Sequence, residues 1–185
     1  MFGRSHLLRV LLCALGALVT TASPAANATQ GNGDVAEFIV NFVRYTAWPA
    51  DPSRKAVTIC YAHGGALAPA AITVEQPMTV KGLTLAWRQI SLPSQTAGCD
   101  ALWLNADVRP APREWLVATN EKPVLTISNY ADFTADGGIV GAYRAGSDWR
   151  FEVNLEALHR ARINIAAAAL RLSQKPKSTP TGEPR

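Results

Sequence analysis

Thiols, imidazoles and dispersed carboxylates are the groups in this sequence that could do chemistry. Cys60 and His63 stand at C-x2-H spacing, with Cys99 as a third donor. A zinc ion would want a fourth ligand to close that geometry. His63 and His159 are the imidazoles beyond residue 28. No Gly-x-Ser-x-Gly segment supplies a nucleophile elbow. His159 lies beside Arg160 and Arg162, the pattern of a solvated helical face. Asp132 and Asp136 flank Phe133 ahead of Gly137-Gly138, a spacing that reads as a turn. Asp100, Asp107 and Glu121 are scattered at expected strand ends and form no paired-carboxylate pattern. Gly64-Gly65 follows an expected strand and precedes a helix, where backbone amides can cradle an anion. It lacks the Lys and the third glycine of a phosphate fingerprint, so a tight turn is the simpler reading. Trp48, Trp87, Trp103, Trp115 and Trp149 all fall in or beside periodic elements, as core, half-buried or interface residues.

Which groups remain in the folded protein depends on the ends of the chain. Residues 1–28 have the pattern of a secretory signal peptide. Arg4, His6 and Arg9 make a basic start, Val10 to Val19 an uncharged apolar run, and Ala26-Asn27-Ala28 a small-residue cleavage site before Thr29. No Cys follows that site, which argues against a lipoprotein. Loss of this segment removes Arg4, Arg9 and Cys13, leaving sixteen basic residues, fourteen acidic residues and two cysteines. In an oxidising compartment Cys60 and Cys99 read as one disulfide, which competes directly with the metal reading. Gln174 to Arg185 carries three prolines, two Lys and one Arg with almost nothing apolar, the composition of a disordered tail. From residue 29 to 173, thirteen basic residues face thirteen acidic ones. The formal +4 of the 185-residue sequence therefore belongs to its ends, and the domain shows no basic surface for nucleic acid. At 48% apolar residues the chain is no disordered protein.

The elements that would position these groups alternate along the chain. Asp34 to Trp48 is an expected amphipathic helix, with Val35, Phe38, Ile39, Phe42 and Val43 on one face. Gly33 or Asp34 would cap it and Trp48-Pro49 would end it. Expected strands cover Ala56 to Tyr61, one or two pieces of Met78 to Ile90 broken at Gly82, Ala101 to Leu104, and Val124 to Ile127. Ile139 to Tyr143 and Trp149 to Asn154 form an expected hairpin. Helices are expected at Leu67 to Ile72, Pro110 to Ala118, a stretch capped by Asn154 and running to Ala161, and Ala166 to Leu172. The predicted fold class is α/β: one domain, a mixed and mostly parallel sheet with helices on both faces, and a C-terminal hairpin-helix unit.

The ordered set FIVNFVRYTAWP (Phe38 to Pro49), the Cys60 strand, Gly98-Cys99-Asp100 before ALWL, PVLTIS (Pro123 to Ser128), Gly137-Gly138 and FEVNLEAL (Phe151 to Leu158) resembles the YfiR family of periplasmic proteins. The resemblance runs from about Val35 to Leu172. It implies regulation rather than catalysis, with no cofactor and no metal. YfiR-like proteins repress an inner-membrane diguanylate cyclase by binding its periplasmic sensor region, and an outer-membrane lipoprotein can sequester the repressor. Release of the cyclase raises cyclic-di-GMP and favours biofilm. The resemblance also implies a Cys60–Cys99 disulfide, redox sensitivity and a homodimer. Two departures stand out. Phe133 to Gly146 contains no Cys, so the family's second disulfide is missing, and Arg162 stands where a Gly often ends the penultimate helix. Partner binding is expected on the exposed side of the strand carrying Arg150 and Glu152 and on the neighbouring helix face with Leu158, because alternation points Phe151 and Val153 inward. Two other readings use the same residues differently. One is a small-ligand-binding module with the Gly64-Gly65 turn as its pocket. The other is an enzyme, which would depend on His63 or His159.

Overall fold

The computed structural model describes residues 25–62 and 78–173, with side chains from residue 35 onward. His63, the Gly64-Gly65 turn, the helix expected at Leu67 to Ile72, most of the signal segment and the tail lie outside the described residues. Helix α1 spans Ala25–Tyr45. It starts nine residues before the expected cap at Asp34, so Gly33 and Asp34 lie within the helix and not at its start. It also ends earlier than Trp48. Thr46–Ala47 leave it as a short strand, β1, and the Thr46 hydroxyl donates to Phe42 O at 2.8 Å.

A seven-stranded sheet forms the centre. Its strands are β2 (Ala56–Ala62), β3 (Thr79–Val80), β4 (Leu83–Ile90), β5 (Ala101–Leu104), β6 (Leu125–Ser128), β7 (Val140–Ala145) and β8 (Asp148–Val153), in the order β3-β4-β2-β5-β6-β7-β8. The run from β4 to β7 is parallel, and β3 and β8 pair antiparallel at the two edges. The predicted α/β fold with a mixed, mostly parallel sheet is therefore the observed one. Gly146 turns β7 into β8 with φ +66°, a left-handed conformation that glycine adopts without strain. A second, two-stranded sheet pairs β1 with β9 (Asn164–Ile165). Strands this short carry no period, so sequence gives no sign of them.

Alternation along the strands builds two cores. Val57, Ile59, Tyr61, Trp103, Leu125, Ile127, Val140 and Ala142 face α1. Helix α3 (Leu155–Arg160), β9 and helix α4 (Ala167–Leu170) complete that side with Ala157, Leu158, Ile163 and Ala169. Cys60, Leu102 and Leu104 face the other side, against Trp115 of helix α2 (Pro112–Thr119), Val108 and Phe133. Each large side chain fully buried this way contributes about 1.5–3 kcal/mol. Helices thus cover both faces. No described helix is long and apolar enough to cross a membrane.

Candidate functional site

Cys60 on β2 and Cys99 just before β5 are joined by a disulfide, with Cα atoms 5.7 Å apart. Parallel pairing explains the approach: Cys60 lies opposite Leu102 in the register, and the chain enters β5 one strand away. Arg88 on β4 lies opposite Cys60 on its other side. Its Nη2 is 3.1 Å from Cys99 Sγ and 3.4 Å from Cys60 Sγ, and donates to Ala97 O at 2.6 Å. Arg88 therefore binds the loop carrying Cys99 as well as covering the bridge.

Asp100 follows directly and joins four parts of the chain. Its carboxylate pairs with Arg54 and accepts from Thr58 N at 2.8 Å. Its carbonyl accepts from Leu125 N at 2.9 Å and from Trp48 Nε1 at 3.0 Å. The Arg54 guanidinium also lies over the Trp48 ring, 5.8 Å from its centroid. The string Gly98-Cys99-Asp100 is thus a structural junction, and Asp100 is a positioning residue that sequence reading left among the dispersed acids.

The other candidates are not brought together. His159 is exposed in the last turn of α3. Asp132 and Asp136 belong to the turn before Gly137, with Asp136 N donating to Asp132 O at 2.9 Å. Asp107 and Glu121 are exposed and apart from both. Among the described residues no three His, Cys, Asp or Glu side chains could share a metal ion. Asp51 has its carboxyl held below the usual range, chiefly by the Ser53 hydroxyl and then the Ser53 N–H, in a surface turn.

The residues expected to bind a partner separate. Arg150 is exposed and pairs with Asp148 at 3.4 Å. Glu152 is half-buried and accepts a hydrogen bond from the Thr134 hydroxyl. Leu158 is 7% exposed and belongs to the α1-side core, which corrects its placement on an open helix face. Ala157 and Leu158 of α3 and its C-cap residue Ala161 form an inward stripe at helical spacing. On the opposite side of β8, Phe38 and Phe42 of α1 meet Trp149 and Phe151 at ring-centroid distances of 5.2 Å and 4.6 Å. With Tyr45 and Leu172 they line a cleft of about 320 Å³. Arg144 lies over the Trp149 ring at 4.3 Å.

Fold and junction together define a disulfide-tied α/β module with an aromatic cleft along one sheet edge. The family model for YfiR/HmsC-like proteins matches residues 35–174, and the chain belongs to that family. The family is one of periplasmic regulators of diguanylate cyclase, regulatory rather than catalytic. Among solved structures, the chain is similar to a conserved domain protein from Vibrio cholerae O1, at 15% identity and a TM-score of 0.49. The match covers 77% of this chain and 58% of the Vibrio chain, so this chain spans less than two thirds of that protein. No curated protein matches the sequence.

Proposed function

We propose that this chain is exported to the periplasm, loses residues 1–28, and binds and represses the periplasmic sensor region of an inner-membrane diguanylate cyclase. The observation that carries this reading is the family match over residues 35–174. Repression here is a population shift. The protein must bind the inactive state of the cyclase more tightly than the active one, or the equilibrium does not move. An outer-membrane lipoprotein would relieve repression by competing for the free protein. The open face of β8, with exposed Arg150 and the half-buried Glu152 beside it, is the proposed contact surface.

Two measurements test this. N-terminal sequencing of the exported protein should begin at Thr29. Co-expression with an inner-membrane diguanylate cyclase of the same cell that has a periplasmic sensor region should lower cellular cyclic-di-GMP, and Glu152→Lys should weaken that effect; an unchanged effect would remove Glu152 from the contact.

A second reading is a small-ligand-binding module. The aromatic cleft of about 320 Å³ favours it, since small-molecule sites begin near about 300 Å³. A rise in melting temperature on adding a bound compound would support it.

A further inference from the structure

Two clefts meet along α1. The aromatic one, about 320 Å³, is walled by Phe38, Phe42, Tyr45, Trp149 and Leu172. The polar one, about 470 Å³, adds Glu37, Ser147 and Asp148. Phe38, Asn41 and Trp149 belong to both, so the two form one groove. Tyr45 and Leu172 line only its aromatic part, and Glu37 and Asp148 only its polar part. The groove therefore runs back along α1 from Tyr45 to Glu37, about 12 Å at the helical rise of about 1.5 Å per residue.

Open apolar surface lies at one end and an unpaired charge at the other. Tyr45 is 49% exposed and Leu172 66% exposed. Glu37 is exposed and has no ion-pair partner among the described residues. The neighbouring charges are engaged: Arg150 pairs with Asp148 at 3.4 Å, and Arg144 donates to Ser147 O at 2.7 Å while lying over the Trp149 ring. Midway, the Asn41 side chain accepts from Arg44 at 3.4 Å, and its own N–H groups have no acceptor among the described residues.

The chain itself reaches this groove. Ser173 is one residue past Leu172, which lines the aromatic part. Residues 174–185 follow with Pro176, Pro180 and Pro184, and with three basic residues against one acid. Proline-rich sequence favours the extended polyproline form, and aromatic-lined grooves accept that form. Its carbonyls make no internal hydrogen bonds and stay open to a donor such as the Asn41 amide. The reach matches as well. At about 3.1 Å per residue, Pro176 stands about 9 Å beyond Ser173 and Lys177 about 12 Å. That spacing sets Pro176 level with Phe38 and Trp149, whose rings stack 5.2 Å apart, and Lys177 level with Glu37. So short a tether holds the segment at an effective concentration on the order of millimolar, so a weak contact is enough.

From the groove, its unpaired acid and the point where the chain leaves it, we propose that residues 174–185 fold back into it. Pro176 packs on Phe38 and Trp149, and the Lys177 ammonium pairs with Glu37. The segment is then a built-in competitor, which a small molecule or a partner's side chain must displace to enter the groove. This inference rests on neither functional reading, because it concerns the purified chain alone.

NMR of the full exported chain tests it, with a nitroxide on the thiol of Ser178→Cys while Cys60 and Cys99 stay bridged. The expected result is loss of signal at the backbone N–H groups of Glu37 and Asn41 and at the Trp149 indole N–H, unchanged on dilution. Glu37→Lys and Pro176→Gly, made separately in that chain, should each restore most of the lost intensity. Glu37 is exposed and Pro176 lies beyond the domain, so neither change touches the core. Loss confined to residues beside Ser173 overturns the proposal. Loss that fades on dilution also overturns it, and assigns the groove to the same segment of another copy. Loss that persists in either variant overturns it as well, since the named contact then does not hold the segment.

Discussion

Cys60 and Cys99 were legible as a pair as soon as Cys13 was assigned to the segment that export removes. What the sequence did not show was the company they keep. Arg88 sits over the bridge and Asp100 ties Arg54, Thr58, Trp48 and Leu125 together beside it. Both residues are ordinary charges in a linear reading, because their partners are brought near by strand order and not by spacing. The bridge closes a separation of 39 residues. In the chain-entropy account that is worth about 3–4 kcal/mol. Replacing both cysteines by Ser should lower unfolding stability by about that amount in urea titrations, and a loss below about 1 kcal/mol would contradict the constraint. Gly138 offers a second test at this scale. A Cβ there would collide with the ring of Phe133, which is 1% exposed and cannot swing into solvent. Gly138→Ala should therefore cost about 1–3 kcal/mol in the same titration. Gly137-Gly138 was read as a turn, and the reason for the second glycine is this close approach.

Most elements could be read from the sequence because their signals are local. Ala101–Leu104 matches its expected limits, and β2 and the two pieces around Gly82 fall within a residue or two of theirs. Asn154 caps α3 as expected, accepting from Ala157 N at 2.9 Å, and its amide also donates to Thr134 O at 2.7 Å. Asn154→Ala loses both bonds and should cost about 1–2 kcal/mol; circular dichroism melting of the variant measures it. The misses have a common cause. The β1–β9 pair joins two-residue strands at opposite ends of the domain, and α1 runs past Asp34 although a good cap residue sits there. Tertiary pairing and helix continuation outweighed the local cue in each case. The position of Leu158 next to β8 suggests an outward face, yet its spacing with Ala157 and the C-cap Ala161 turns it inward.

At the scale of the whole molecule, neutrality and family membership point the same way. A domain with thirteen basic and thirteen acidic residues has no field to draw nucleic acid, and the YfiR/HmsC-like match spans residues 35–174. What the sequence could not supply is the surface that recognises a partner. Such a surface is defined by side chains from separate elements, as Phe38 of α1 and Trp149 of β8 show by stacking 5.2 Å apart. The central claim is repression, and cellular cyclic-di-GMP reads it most directly. Its level should be measured in the native cells with a membrane diguanylate cyclase present, with the chain deleted and then restored. The account predicts a rise on deletion and a return on restoration that requires residues 1–28 for export. Equal cyclic-di-GMP in all three strains, with the cyclase shown to be active, would contradict it.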